Sequence, residues 1–319
     1  MKTRPLIAVL GATGAQGGGL VRAILADPAR TFDVRAITRR PDSPAARALA
    51  TLGAEVAHGD LDAVASLDRA FDGAHGVYVV TNFWEHCSPE RELAQAGNAA
   101  RAAERARARH VVWASLEDTR RRVPLSDPRM PTLMGRYKVP HYDAKGEADA
   151  LFAGVPTTFL RASFYWDNLI HFGLGPKRGA DGALEFALPM GDRKLPGIAA
   201  ADIGPCALGV FKRGEELAGQ AFGIAGGHVS GADMAAGLSR ALGEPVRYVA
   251  LPFRDYVDLG YPGGHDMANM FRYKHDFNDE YRAAQSVERT RELHPGLLDF
   301  GQWLAIHARS IARLEAAAA

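Results

Sequence analysis

Pro5-Leu-Ile-Ala-Val-Leu-Gly11-Ala-Thr-Gly14-Ala-Gln-Gly17-Gly18-Gly19-Leu20 is the stretch whose reading decides the fold. A short apolar run ends in a glycine-rich turn. Leu20, Val21, Ile24 and Leu25 then recur at helical spacing. The order strand, glycine turn, helix is the context of a dinucleotide-binding fingerprint. Gly11 lets the chain turn tightly off the strand. Gly14 lets backbone approach a phosphate closely, and Gly17 lets the helix settle against the sheet. The helix N-terminus offers free N–H groups and partial positive charge to a diphosphate. The spacing is G-x-x-G-x-x-G, so the glycines alone are a weak signal and the context carries the reading.

The next strand tests it. Phe32-Asp-Val-Arg-Ala-Ile-Thr38 is followed by Arg39-Arg40-Pro41. An NAD-specific site places an acid there for the ribose 2′-OH. A guanidinium at that point suits a 2′-phosphate, which argues for NADP(H).

Alternation continues. Glu55 to Asp62 reads as a third strand ending in acid; in related folds that acid, here Asp60 beside Leu61, lies near the adenine edge. Asp60 alternatively caps the following helix. Gly76-Val-Tyr-Val-Val-Thr81 is an apolar fourth strand, and Thr81-Asn82-Phe83-Trp84 lies at its carboxyl end. A helix over 89–109 and a strand over 110–115 follow. Leu116 to Pro140 carries four prolines and Arg120-Arg121-Arg122; it reads as a long, mobile loop with a solvated charge run. A helix opens at His141 and carries Lys145. The strand over 156–161 leads into Tyr165-Trp166-Asp167-Asn168, whose aromatics suit either a nicotinamide wall or core packing.

These elements give an α/β fold: a Rossmann-type doubly wound parallel sheet with a smaller α+β C-terminal lobe. The expected division is a dinucleotide domain over 1–162 and a lobe over 163–319 closing the cleft, the two interleaved. Short strands at 183–188, 221–225 and 246–251 and helices at 201–212, 230–242 and 302–312 belong to that second half. The end, Leu314 to Ala319, reads as a fraying helix tail.

Bulk properties narrow the function. Of 319 residues, 47% are hydrophobic, enough for a sizeable core. A net charge of +1 gives no electrostatic case for nucleic acid or an anionic membrane. No apolar run reaches spanning length, and the opening residues run straight into a strand rather than a secretory leader. Cys87 and Cys206 stand too far apart in sequence to suggest a metal cluster or disulfide framework; a reducing, cytoplasmic setting fits them. The histidines show no ligand spacing, so no metal is expected.

The residues now carry a resemblance. Gly11-Ala-Thr-Gly-Ala-Gln-Gly-Gly18, Val80-Thr-Asn-Phe-Trp-Glu85, Lys145-Gly-Glu147, Leu188-Pro-Met-Gly-Asp192, Asp202-Ile-Gly-Pro205, Tyr261 to Arg272 and Leu298 to Leu304 resemble the NmrA-like group of atypical short-chain dehydrogenase/reductases. Within that group the chain resembles in particular the HSCARG-type NADP(H)-sensing proteins. The resemblance implies one NADP(H), with the diphosphate on Gly11, Ala12, Thr13, Gly14, Ala15 and Gln16 and the 2′-phosphate on Arg39. It sets the nicotinamide half near Thr81, Asn82, Phe83, Lys145, Tyr165, Trp166, Asp167 and Asn168. Ala94 stands where relatives carry a cofactor-holding lysine, which implies weaker affinity.

Reductases of the wider superfamily place a tyrosine four residues before the lysine as proton donor. Here that position is His141. Tyr142 is one residue off, turned about 100° away on a helix, and Ser115 stands near the usual serine. Two readings follow. The first is a sensor of the NADPH/NADP+ ratio lacking the usual catalytic tyrosine, acting on a regulated protein partner. The second is an NADPH-dependent oxidoreductase using Lys145 and His141 on a quinone or other conjugated carbonyl, with Trp84, Tyr165 and Trp166 lining its pocket. Either is expected as a monomer or homodimer.

Overall fold

A computed structural model describes residues 4–260 and 263–318, with side chains up to 311. Tyr261 and Pro262 of the family-like motif and Ala319 of the expected tail lie outside the described residues.

Strand β1 (Leu6–Val9) feeds α1 (Ala15–Ala26), β2 (Asp33–Thr38), α2 (Pro44–Thr51), β3 (Glu55–His58), α3 (Val64–Phe71) and β4 (Gly76–Val79). Then come α4 (Pro89–Arg105), β5 (His110–Ser115), α5 (Pro140–Ala148), β6 (Thr157–Ala162) and β7 (Phe164–Tyr165). The second half adds α6 (Asn168–His171), β8 (Lys177–Arg178), β9 (Leu184–Leu188), β10 (Lys194–Ile198) and α7 (Ala200–Arg213). It continues through β11 (Ala221–Ile224), β12 (Gly227–Ser230), α8 (Gly231–Leu242), β13 (Val246–Ala250) and α9 (Phe253–Val257). Helices α10 (Gly264–Asp276), α11 (Asn278–Ala284), α12 (Val287–Leu293) and α13 (Phe300–Ala318) close the chain.

Seven strands form one parallel sheet in the order β11-β6-β5-β4-β1-β2-β3. This is the doubly wound sheet expected. Alternate side chains feed two cores. Ile7, Val9, Tyr78 and Val112 meet Leu20, Ile24, Ile203 and Val210 on one face, and Ala8, Val77, Val79 and Trp113 meet Leu67, Ala96 and Phe152 on the other. Burial on both faces explains why these strands read as continuous apolar runs.

Two differences from expectation concern the second half. The strand near 221–225 does not join the smaller lobe; β11 adds parallel to β6 at the edge of the main sheet. Helix α7 also returns, lying against α1 where Gly19 faces Gly204: a Cβ on Gly204 would sit 2.2 Å from the Gly19 carbonyl carbon. The smaller lobe holds two three-stranded sheets, β12-β10-β7 and β13-β9-β8. Its core gathers Trp166, Phe186, Tyr273, Phe300 and Trp303.

The stretch 116–140 contains one short 3-10 turn but is well anchored. The buried Asp143 carboxylate accepts from the N–H groups of Thr119, Lys138 and Val139 and from the Thr119 hydroxyl. The Lys138 ammonium donates to the carbonyls of Asp127 and Met130. Arg120, expected on a solvated face, is only 20% exposed in its side chain and pairs with Asp118 and Glu147. Among the described residues, no helix is long and apolar enough to cross a membrane.

Candidate functional site

Strand β1 is flanked by β4 on one side and β2 on the other, and the chain reverses direction across the sheet there. Doubly wound sheets bind ligands outside the carboxyl ends of the strands at this point. The glycine turn sits in it. Gly11 has φ +64°, a region that suits glycine. A Cβ on Gly17 would lie 2.5 Å from the Gly11 carbonyl oxygen and 2.7 Å from that of Leu10, so only glycine lets α1 start this close to the strand. Gly14 is the N-cap, and no side chain caps the helix. Thr13, Gly14 and Ala15 are exposed, whereas Ala12 is buried beneath them. The Gln16 side chain bridges two strand ends, accepting from the Tyr78 hydroxyl and donating to that of Tyr165. Burial pushes both phenols' pKa values up.

Arg39 follows β2 and is half exposed. Its guanidinium pairs with Glu85 at 2.6 Å. Asp60 does not cap the next helix, whose N-cap is Ala63; its carboxylate accepts from the Asp62 N–H in a turn. The Leu61 carbonyl accepts from Asn98.

After β4 the geometry tightens. The Thr81 side chain is hydrogen-bonded to both Glu92 and the Lys145 ammonium, and Lys145 lies 2.7 Å from Glu92 Oε1. Lys145 also sits 4.8 Å from the centre of the Trp113 ring. Asn82 precedes a 3-10 turn, Phe83–Glu85, whose Phe83 is buried. Trp84 on that turn comes within 4.8 Å of the His141 ring, centre to centre.

His141 and Lys145 are four residues apart on α5 and share a face. The His141 Nδ1 lies 2.7 Å from Asp266 Oδ1, and its backbone N–H donates to Asp266 Oδ2. Asp266 thus fixes the ring and leaves Nε2 as the nitrogen not committed to it. Tyr142 points elsewhere, its hydroxyl 3.3 Å from that of Tyr281. The Ser115 hydroxyl donates to Asp149; burial raises the Asp149 pKa against the pull of Ser115, Arg161 and Trp113.

The residues after β6 separate. Tyr165 joins the glycine turn through Gln16. The Trp166 ring is fully buried among Gly197, Phe300 and Trp303, which is the core-packing alternative. Asp167 accepts from the Ala200 N–H at the start of α7, and Asn168 opens α6.

Glu92 and Asp266 are the site residues the sequence reading missed. Glu92 stands in the first turn of α4, an alanine-rich helix, where nothing local marks it. Asp266 lies 125 residues from its partner. A third missed feature is buried Lys274, packed under the rings of Tyr142, Phe271 and Tyr281. Among the described residues no cluster of His, Cys, Asp and Glu is placed to hold a metal.

Residues 3–304 match the NmrA-like family. The chain belongs to that family. Among NmrA-like relatives it is 29% identical to the NmrA-like family domain-containing oxidoreductase FrzB of Cladobotryum sp., over 89% of this chain and 88% of that one. It is 31% identical to an NAD(P)H azoreductase of Xenophilus azovorans, over 77% of each chain. Its backbone follows NmrA itself, a negative transcriptional regulator solved in complex with NAD, at 25% identity and a TM-score of 0.76, covering 99% of this chain and 98% of that one.

Proposed function

We propose that this NmrA-like chain is an NADP(H)-dependent oxidoreductase acting on flat, conjugated acceptors. The observation that carries this is the His141–Asp266 pair, whose histidine shares a face of α5 with Lys145 at the position where the wider superfamily has its tyrosine.

The residues fit the dinucleotide. The turn from Gly11 to Gln16 leaves backbone exposed at a helix N-terminus, and Gly17 fills a position where any side chain collides with backbone. Arg39, not an acid, follows β2. On this reading the turn holds the diphosphate, Arg39 the 2′-phosphate, and Thr81, Asn82, Phe83 and Lys145 the nicotinamide ribose. Tyr165 braces the turn through Gln16. A reduced nicotinamide supplies the hydride equivalent when bound. His141 supplies the matching proton from Nε2, and Asp266 holds the ring in place through Nδ1. Lys145 adds positive charge beside the site. Phe83 and Trp84 shield it from water and offer apolar surface to a flat acceptor. The relatives named as oxidoreductase and azoreductase support the same class of chemistry. Residues beyond 162 close the cleft, and a cytoplasmic setting belongs to the reading.

A sensor of the cofactor's oxidation state is the second reading. It is favoured by a different observation: Lys145 is taken by Glu92 and Arg39 by Glu85, so both cations already have carboxylate partners. A sensor needs two conformations with different affinity for NADPH and NADP+.

Consumption of NADPH against quinones, azo dyes and enones separates the two, with NADPH binding measured alongside. The expected result is turnover that is lost in His141→Phe while NADPH still binds. Binding of NADPH without turnover of any acceptor, together with unequal affinity for NADPH and NADP+, replaces the first reading with the second.

A further inference from the structure

The loops that follow β2 and β4 flank the glycine turn, because β1 lies between those two strands. Arg39 comes from the first loop and Glu85 from the second, and their side chains meet at 2.6 Å. The pair therefore ties the two sides of the crevice together, at the point where the NADP(H) reading puts the adenosine ribose. Glu85 is set in place by its neighbours: Phe83 of the same 3-10 turn is buried, and Trp84 packs against His141. Two further acids act on Arg39 through space, Asp60 and Asp62. Both are otherwise engaged, Asp62 by Arg91 and Gln95 and Asp60 by the Asp62 backbone. Glu85 is the carboxylate in contact.

We infer that Glu85 is a specificity-determining residue, which competes with a ribose 2′-phosphate for Arg39 and so limits the preference for NADP(H) over NAD(H). The inference rests on the NADP(H) reading above. A 2′-phosphate reaching Arg39 must displace the carboxylate or settle beside it, like charge against like. A 2′-hydroxyl carries no such charge and leaves the pair as it is. The side chains of Arg39 and Glu85 are 54% and 45% exposed, and exposed pairs of this kind are weak enough to exchange with a ligand. The penalty therefore falls on the phosphorylated cofactor alone.

Equilibrium titration with NADPH and with NADH, at one fixed ionic strength, tests this in the parent chain, Glu85→Gln, Arg39→Ala and the double variant. Glu85→Gln is expected to tighten NADPH binding about fivefold, the range an exposed ion pair can supply. NADH should change by less than about twofold, and the gain should vanish in the double variant. If Glu85→Gln leaves NADPH unchanged, or shifts both cofactors equally, while Arg39→Ala weakens NADPH alone, the role of Glu85 is refuted and the cofactor reading stands. If Arg39→Ala weakens both cofactors alike or neither, the 2′-phosphate assignment falls and the inference falls with it.

Discussion

The Lys145 ammonium lies 2.7 Å from Glu92 Oε1, and the Glu92 side chain has no exposure to solvent. Removing one member of a buried pair leaves the other charged and uncompensated, which costs about 3–5 kcal/mol. Lys145→Ala should therefore lower stability by that order, because Glu92 is stranded beside Thr81. Adding Glu92→Gln should return much of the loss. Denaturant unfolding of the three proteins checks this; a Lys145→Ala variant as stable as the parent would show that the pair is not holding the site. The point bears on kinetics too, since any loss of activity in Lys145→Ala needs a stability measurement beside it.

Asp266 reaches His141 twice, through the ring and through the backbone N–H. Asp266→Asn keeps the size of the side chain but replaces the carboxylate that orients the His141 ring. General acid catalysis contributes about 100-fold or more to rate. Turnover with a productive acceptor should fall on that scale, while the dissociation constant for NADPH stays within about twofold. A purely structural role would instead lower the unfolding temperature and weaken NADPH binding together, and that outcome would remove Asp266 from the chemistry.

Gly17 offers a different kind of test. A methyl group there meets two backbone carbonyl oxygens, at 2.5 and 2.7 Å, and backbone cannot swing aside as a side chain can. Gly17→Ala should displace the turn, weaken NADPH binding more than about tenfold, and destabilise the fold by about 1–3 kcal/mol. Gly73→Ala is the control. Its φ is +70° but nothing lies within 4 Å of the added Cβ, so it should cost about 1–2 kcal/mol of stability and leave binding alone. Equal binding by Gly17→Ala and the parent would mean the turn is not the cradle.

How much of this was legible in the sequence depends on how local the cause is. The sheet was readable because Ile7 to Val9, Val77 to Val79 and Val111 to Trp113 are buried on both faces, and such strands are apolar throughout. The shared face of His141 and Lys145 was readable because four residues make roughly one helical turn. The same geometry turned Tyr142 away. Partners contributed by distant segments were not readable. The packing around Trp166 could not be read, because Phe300 and Trp303, which enclose it, come from the far end of the chain. The run Ala-Phe-Gly-Ile at 221–224 is too short to say which sheet it joins; packing of α7 on α1 carries it back to β6. Nothing local singles out Glu92, and only the fold brings it to Thr81 and Lys145.

Lys274 gives a pH-dependent test. Its ammonium is buried, with the Met270 sulfur at 3.3 Å and the rings of Tyr142, Phe271 and Tyr281 at 5.4–5.8 Å. Burial lowers its pKa from 10.5 to about 7, against a smaller opposing pull from Glu117. Below about pH 7 the lysine is charged both folded and unfolded, so the cost of burying the charge is fully present. Between about 7 and 10.5 the unfolded chain holds the proton and the folded chain does not. Stability contributed at this site therefore rises with pH across that window. Lys274→Met removes the titration and fills the same slot with an unbranched apolar side chain. The variant should be more stable than the parent at pH 6, by something on the order of 1–4 kcal/mol, and the gap should narrow steadily toward pH 9. Unfolding free energies measured for both proteins at several pH values check this, and taking their difference cancels the titrations of groups that Lys274 does not touch. Parallel curves from pH 6 to 9 would mean that Lys274 keeps its proton in the folded chain, held by Glu117 and the surrounding rings.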